Sequence, residues 1–385
     1  MPRATHEVAD VIRLFGDALL RQETVSPARQ RVMRAIQACR TSQLGGHIES
    51  CDLCDYQRIA YNSCRNRHCP KCQGSRQAQW LEDRAEDLLP VEYFHVVFTV
   101  PEEIAAIALQ NKRIVYAILF AASSATLRTI AADEKHLGAE IGFVSVLHTW
   151  TQDLRHHPHV HCVVPGGGLA PDGRWVTCRP GFFLPVRVLG AMFRGKFVAA
   201  LRAAFERGDL QFQGSLQHLH DAAAFAGCLD RAMGKPWVVY SKPPFGGPLQ
   251  VLKYLARYTH RVAISNSRIL GVGADGVSFR WRDRAQGNRP RTMVLPGVEF
   301  LRRFLQHVLP RGFQRLRHYG LLGNRGRTVK LAACRLLMGA TMPAPVAATV
   351  APVVGVDDRC PACGLGRLHR REFSFAPQPE VIDSS

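Results

Sequence analysis

Apolar positions along this chain switch between two periods, and the switches mark out its elements. Residues 8–20 carry apolar side chains every three or four positions and predict a helix, and Pro27 opens a second that runs to about Cys39. From Glu92 the text becomes aromatic and β-branched, Tyr93-Phe-His-Val-Val-Phe-Thr-Val100, until Pro101 stops it, which predicts a central strand. A long helix or helix pair fills 102–135, Ile141–His148 predicts another strand, and His156-His157-Pro158-His159-Val160-His161-Cys162-Val163-Val164 predicts the next. A short strand at 174–177 follows the Pro171-Asp172-Gly173 turn, and 185–206 reads as a cationic helix. Then come a strand at 237–241, a helix opened by Gly246-Gly247-Pro248, and a hairpin of 264–272 with 277–281 turning through Ala274-Asp275-Gly276. Antiparallel strands with polar side chains on one face and helices on the other make an α+β fold.

The histidine strand carries the clearest chemistry. Alternation points His159 and His161 to one face while Val160 and Cys162 turn to the opposite, buried face. Two imidazoles held this way on a rigid strand can ligate a divalent cation. Pro158 fits a strand start, and Pro165-Gly166-Gly167-Gly168 ends the strand in a loop. Downstream, apolar residues at 249, 251, 252, 255 and 256 give helical spacing, which sets Tyr254 and Tyr258 four apart on one face. Lys253, Arg257 and Arg261 lie close by in sequence to attract phosphate.

The cysteines point to zinc. Cys51-x-x-Cys54 and Cys69-x-x-Cys72 are knuckle spacings separated by 14 residues, so the expectation is one tetrahedral four-thiolate zinc built from both pairs. So small and polar a segment buries little core, and metal binding would supply much of its folding free energy. Cys39, His47, Cys64 and His68 are left over; they complete a second zinc or exchange with members of the first set. Arg65, Arg67 and Lys71 thread these ligands with cations, suited to holding DNA by its phosphates. Near the end of the chain Cys360-Pro-Ala-Cys363 is half a knuckle, with His369 as a further candidate ligand.

Composition narrows the partners. Fifty Lys and Arg against 31 Asp and Glu give a net charge of +19, a balance that favours nucleic acid. A membrane surface is the competing acceptor, but no uninterrupted apolar run of about 18 residues occurs, so no spanning segment and no membrane partner are expected. The first residues have no apolar core of signal-peptide type, which implies cytoplasmic, nucleoid-associated residence and reduced thiols, hence metal ligands or core cysteines rather than a disulfide framework. No Cys-x-x-Cys opens a helix after a strand as thioredoxin-like redox enzymes require, and no Walker loop is present. Residues 302–335 hold nine Lys and Arg and no acid, with Arg315 and Arg317 central and Phe313 and Tyr319 interleaved, suited to a single strand held by charge and stacking. From 342 to 356 the chain turns into Pro/Ala/Val repetition that reads as a linker. Four regions result: helices and a zinc-binding domain at 1–90, a catalytic domain at 91–285, a basic helical DNA-binding extension at 286–341, and a linker with its Cys-x-x-Cys tail at 342–385.

Three stretches together resemble a known family. They are Ser63-Cys-Arg-Asn-Arg-His-Cys-Pro-Lys-Cys-Gln73, Leu147-His-Thr-Trp-Thr-Gln-Asp-Leu154 running into His157-Pro-His-Val-His161, and Tyr254-Leu-Ala-Arg-Tyr-Thr-His-Arg261. In order and spacing they are similar to the two-tyrosine HUH rolling-circle transposases of the insertion-sequence-91 family, from about residue 25 to about 330. The resemblance implies an HUH-type central antiparallel sheet flanked by helices, with a small N-terminal zinc-binding domain. It implies Mg²⁺ or Mn²⁺ on His159, His161 and a third polar ligand, for which Gln152 is preferred over Asp153 and His148, and structural Zn²⁺. It also implies that Tyr254 or Tyr258 attacks single-stranded DNA at transposon ends and hairpins, leaving a 5′-phosphotyrosine. A replication initiator or relaxase would share this chemistry, and a non-catalytic zinc-dependent DNA-binding protein is the reading from another class.

Overall fold

A computed structural model describes residues 5–72, 87–181, 183–235, 237–242, 263–283, 286–339 and 359–373 of the chain. The helix expected at 248–261 lies outside them, and with it Lys253, Tyr254, Arg257, Tyr258 and Arg261.

Helices α1 (Val8–Gln22) and α2 (Pro27–Ala38) open the chain. Glu7 and Asp10 cap α1 reciprocally, each side chain accepting from the other's amide, so that two of the donors orphaned at a helix start are satisfied. Pro27 sits in the first turn of α2, where its missing N–H costs nothing. Strands β1 (Gly46–Cys51) and β2 (Gln57–Tyr61) form a hairpin. There follow β3 (Tyr93–Thr99), α3 (Glu102–Gln110), α4 (Lys112–Ala132), β4 (Gly142–Trp150), β5 (His156–Pro165), β6 (Gly167–Leu169), β7 (Trp175–Thr177), α5 (Val186–Glu206), α6 (Ala222–Met233) and β8 (Val239–Lys242). The last described elements are β9 (Ile269–Gly273), β10 (Gly276–Asp283), β11 (Arg289–Leu295), α7 (Gly297–Leu305), β12 (Leu316–Gly320), α8 (Arg327–Leu337) and β13 (Leu368–Phe373).

The fold is α+β, as expected, around a five-stranded antiparallel sheet in the order β12-β4-β5-β3-β8. The histidine strand β5 is central. Its even-numbered side chains, Val160, Cys162 and Val164, are fully buried with Phe94, Val96 and Phe98 of β3 in the main core, beneath α3, α4 and α5. Its odd-numbered side chains face the other way. By length and composition α4 could cross a membrane, contrary to the expectation that no segment would qualify. Its residues Val115, Tyr116, Leu119, Phe120 and Leu127 are wholly buried in the main core, so the helix is apolar because it packs inside the protein.

A second core joins α1 and α2 to the sheet β11-β10-β9 and α7. Helix α7 approaches α1 so closely at Gly297 that an added Cβ would fall 2.2 Å from the Phe15 ring. Within the stretch expected as a basic helical DNA-binding extension, β11 and α7 belong to this core and β12 to the edge of the central sheet. The expectation that Phe313 and Tyr319 stack on bases is corrected by the same arrangement. Phe313 is buried against Tyr116 and Phe120, and Tyr319 stacks on Phe143 at 5.0 Å, because pairing of β12 with β4 draws both rings onto the main core.

Candidate active site

The pleat of β4 and β5 assembles three imidazoles. His148 lies directly across from His159 in the antiparallel register, and His161 stands one pleat along opposite Val146, on the same face. The ligating nitrogens of His148, His159 and His161 all lie within 4.8 Å of one another. All three rings are buried, at 3%, 7% and 7% exposure. Three neutral ring nitrogens converging in a dry site suit one divalent cation and would repel one another if protonated.

Neighbouring groups bear on which nitrogen two of the rings present. His159 Nδ1 lies 2.7 Å from the His157 carbonyl, which can only accept, so Nδ1 carries the proton and Nε2 keeps its lone pair. His161 Nδ1 lies 2.7 Å from His95 Nε2, with the two rings stacked in parallel at 5.0 Å. If His161 donates there, its Nε2 is likewise left to bind a cation. His95 is 4% exposed and reaches this position because residues 95, 97 and 99 of β3 share the histidine face of β5. Trp150 stacks on His148 at 4.7 Å and closes that side. His156 has the opposite parity and serves the core: it donates from Nδ1 to the Ala105 carbonyl and accepts from Tyr116 at Nε2, and burial pushes its pKa down to about 3.

The other candidates for the third ligand lie in the turn beyond β4. Gln152 is half-buried, and its carbonyl accepts from Arg268 at 2.5 Å. Asp153 accepts from Thr151 and from Arg155 Nε; burial raises its pKa, but these hydrogen bonds win and hold the carboxyl below its ordinary value. The structure thus sets His148, the residue ranked behind Gln152, beside the pair. His95 was missed altogether. Alternation within β3 carried its parity, but only the strand order reveals which strand it faces.

The cysteines group differently from the expectation. Cys51 and Cys54 do not join Cys69 and Cys72. Instead Cys39, Cys64, Cys69 and Cys72 converge within 4.8 Å, with Cys39 Sγ and Cys64 Sγ at 3.5 and 3.6 Å from Cys72 Sγ. A tetrahedral zinc with bonds of about 2.3 Å needs sulfurs about 3.8 Å apart, so the set fits. Hydrogen bonds from Cys64 and Cys69 hold the Cys72 thiol below its usual range. Cys51 and Cys54 lie instead with Cys360 and Cys363. The two leftover histidines join neither set. His47 Nε2 meets Glu49 at 3.0 Å, and His68 Nε2 accepts from the Leu309 amide at 3.4 Å, with burial pushing its pKa down to about 3.

The cations expected to hold DNA divide into exposed and internally engaged groups. Arg65 is exposed. Arg67 donates to the carbonyls of Phe313 (2.6 Å) and Pro310 (2.8 Å), and Lys71 pairs with Glu7 at 2.6 Å while donating to the Cys39 carbonyl. Burial pushes Arg315 down to about 10, and the Arg317 guanidinium lies 4.3 Å from the centre of the Phe120 ring. Arg67, Lys71 and Arg317 thus have partners within the fold, and Arg67 ties the zinc module to the loop before β12.

Residues 142–329 match the family model described as "Putative transposase", and residues 11–100 match that described as "Transposase zinc-binding domain", of the IS91 type. The chain is 55% identical over 380 residues to "Putative transposase y4qJ" of Sinorhizobium fredii (strain NBRC 101917 / NGR234), covering 96% of this chain and 95% of the relative. It is 26% identical over 351 residues to "Transposase for insertion sequence element IS801" of Pseudomonas savastanoi pv. phaseolicola, covering 88% and 82%. Among solved structures, "Conjugative Relaxase TrwC in complex with mutant OriT Dna" overlaps 64% of this chain and 74% of its own at 14% identity, with a TM-score of 0.25, too slight a likeness to bear on the fold. By its zinc-binding domain, its histidine-bearing domain and its full-length relatives, the chain belongs to the insertion-sequence-91 family of transposases.

Proposed function

We propose that this transposase cuts and rejoins single-stranded DNA at transposon ends through a 5′-phosphotyrosine, in rolling-circle transposition. The observation that carries the reading is the buried trio of His148, His159 and His161, two of whose rings are oriented by His157 and His95. These imidazoles would hold Mg²⁺ or Mn²⁺, which when bound polarises the scissile phosphate and orients it for in-line attack. A phenol from Tyr254 or Tyr258 forms the new P–O bond, the bond from phosphorus to the 3′ oxygen breaks, and the phenolic proton is balanced by the proton the 3′-hydroxyl gains. One phosphoester replaces another, so the reverse reaction rejoins ends without ATP. A second tyrosine lets one end stay bonded while the other is attacked.

The described flanks of the tyrosine stretch support this reading. Lys242, its last described neighbour on one side, pairs in register with His95, which backs His161. Ala263, the first on the other side, lines a small cavity with Trp150, which stacks on His148. DNA, in the form of single-stranded ends and hairpins, is the partner, and the cytoplasm is the place of work. The test is cleavage of single-stranded end oligonucleotides with Mn²⁺ by wild type and by Tyr254→Phe/Tyr258→Phe. Loss of cleavage in the double variant is expected. Equal cleavage by both would refute the tyrosine nucleophile, and cleavage by neither would leave a DNA-binding protein with structural tyrosines.

A further inference from the structure

The zinc-binding domain matched at residues 11–100 has a partner at the far end of the chain, outside both matched regions. We propose that Cys51, Cys54, Cys360 and Cys363 hold a second zinc ion, which clasps the C-terminal tail into the N-terminal domain as its third strand and second knuckle.

The four sulfurs lie within 4.8 Å of one another, although 306 residues separate Cys54 from Cys360. Cys51 Sγ is 3.8 Å from Cys363 Sγ, and Cys54 Sγ is 3.6 Å from Cys360 Sγ. Those separations are close to the edge of a zinc-thiolate tetrahedron and far beyond a disulfide bond of about 2.05 Å. The backbone prepares the sulfurs for negative charge: the Leu53 amide donates to Cys51 Sγ and the Gly366 amide to Cys363 Sγ, each at 3.3 Å. The two Cys-x-x-Cys turns therefore present matching knuckles, one leaving β1 and one leading toward β13.

The surrounding structure joins the two chain ends as one unit. β13 pairs along the whole of β1, from Gly46 opposite Phe373 to Cys51 opposite Leu368, and completes a sheet of order β13-β1-β2. Asp52 bonds reciprocally with Arg367, its amide donating to the Arg367 carbonyl and its carboxylate accepting from the Arg367 amide. At Gly366 an added Cβ would sit 2.3 Å from Cys51 Sγ, so the tail approaches the knuckle where only glycine fits. His369 is not a ligand; it faces Asp52 at 3.4 Å. A short tail with this little apolar surface needs the metal to stay docked. Once docked, it converts β1 from an edge strand into a central one.

This inference rests on the zinc reading of the domain, and the test separates the two. Zinc content of the purified full chain by mass spectrometry is expected to be two per chain. Cys360→Ser/Cys363→Ser and Cys51→Ser/Cys54→Ser should each lower it to one, and all four changes together should still leave one, because the pairs share a single ion. One zinc in the wild type, or two in the tail variant, overturns the clasp while sparing the domain reading; no zinc at all sinks both. Should the variants fold poorly, native alkylation of the wild type decides. Cys360 and Cys363 should be protected together with Cys51 and Cys54 and released together by chelator. Alkylation of the tail pair while Cys51 and Cys54 stay protected refutes the shared site.

Discussion

Replacing His95 with Phe tests the second layer of the histidine site. The substitution keeps a flat ring against His161, whose ring lies parallel at 5.0 Å, but removes the nitrogen 2.7 Å from His161 Nδ1. His161 is only 7% exposed, so its Nδ1–H would lose an acceptor that water cannot readily replace. Leaving a buried donor unsatisfied costs about 1–3 kcal/mol, and loss of a partner behind a ligating histidine weakens metal binding by about 10–100-fold, or about 1.4–2.8 kcal/mol. The two scales agree, so we predict a 10–100-fold rise in the Mn²⁺ dissociation constant, read from the free-ion electron paramagnetic resonance signal, with thermal melting as a control for folding. His95→Gln, which offers a carbonyl oxygen as acceptor, should recover part of the loss. If His159→Ala and His161→Ala abolish binding but His95→Phe leaves it unchanged within twofold, His95 does not orient His161 and the tautomer argument fails.

Arg67→Met should lower stability by at least about 1.5 kcal/mol, the scale of one hydrogen bond to a charged group, because two carbonyls lose their donor. The salt dependence of DNA binding should not change in slope; a slope smaller by about 0.7 on single strands or about 0.9 on hairpin duplex would return Arg67 to the DNA contacts. His156 sets an acid limit. Its folded pKa, about 3, lies below the ordinary 6.5, so the unfolded chain takes up a proton that the folded chain refuses. The stabilisation is complete above about pH 6.5 and declines by about 1.4 kcal/mol per unit as pH falls toward 3. His156→Gln should therefore flatten the pH dependence of urea unfolding between pH 6.5 and 5, and an unaltered slope contradicts the assignment. Phe98→Ala should cost about 3–5 kcal/mol in the same unfolding assay, since Phe98 is fully buried and packs on Phe193 at 5.0 Å; a loss under 1 kcal/mol would mean the core closes over the gap.

What the chain discloses in its own text is mostly local. The alternation through His159-Val160-His161-Cys162 put two rings on one face and two side chains in the core, because parity within a strand needs no knowledge of its neighbours. The third ring depended on the β4–β5 register, in which His148 faces His159; register joins distant positions, and Gln152, nearer in sequence to the pair, was preferred for want of it. Cysteine spacing identified knuckles but not their pairing. Cys69-x-x-Cys72 closes with Cys39 and Cys64, whereas Cys51-x-x-Cys54 meets a pair on the other end of the chain. Charge pointed to the class of partner but not to the role of each side chain. The run at 302–335 read as a nucleic-acid surface, yet Phe313 is buried and Arg317 lies over an aromatic ring, because strand β12 threads that basic text onto the sheet edge. Side chains with a charged tip and an apolar stem serve both settings, and composition does not separate them.

The most direct test of the account is to trap the covalent intermediate. Full-length protein is incubated with Mn²⁺ and a single-stranded transposon-end oligonucleotide, and the adduct is digested and mapped by mass spectrometry. The account predicts a nucleotide joined through its 5′-phosphate to Tyr254 or Tyr258, and no adduct when His159 and His161 are both replaced by alanine. An adduct on any other residue, or one that forms equally well without the two histidines, would contradict it.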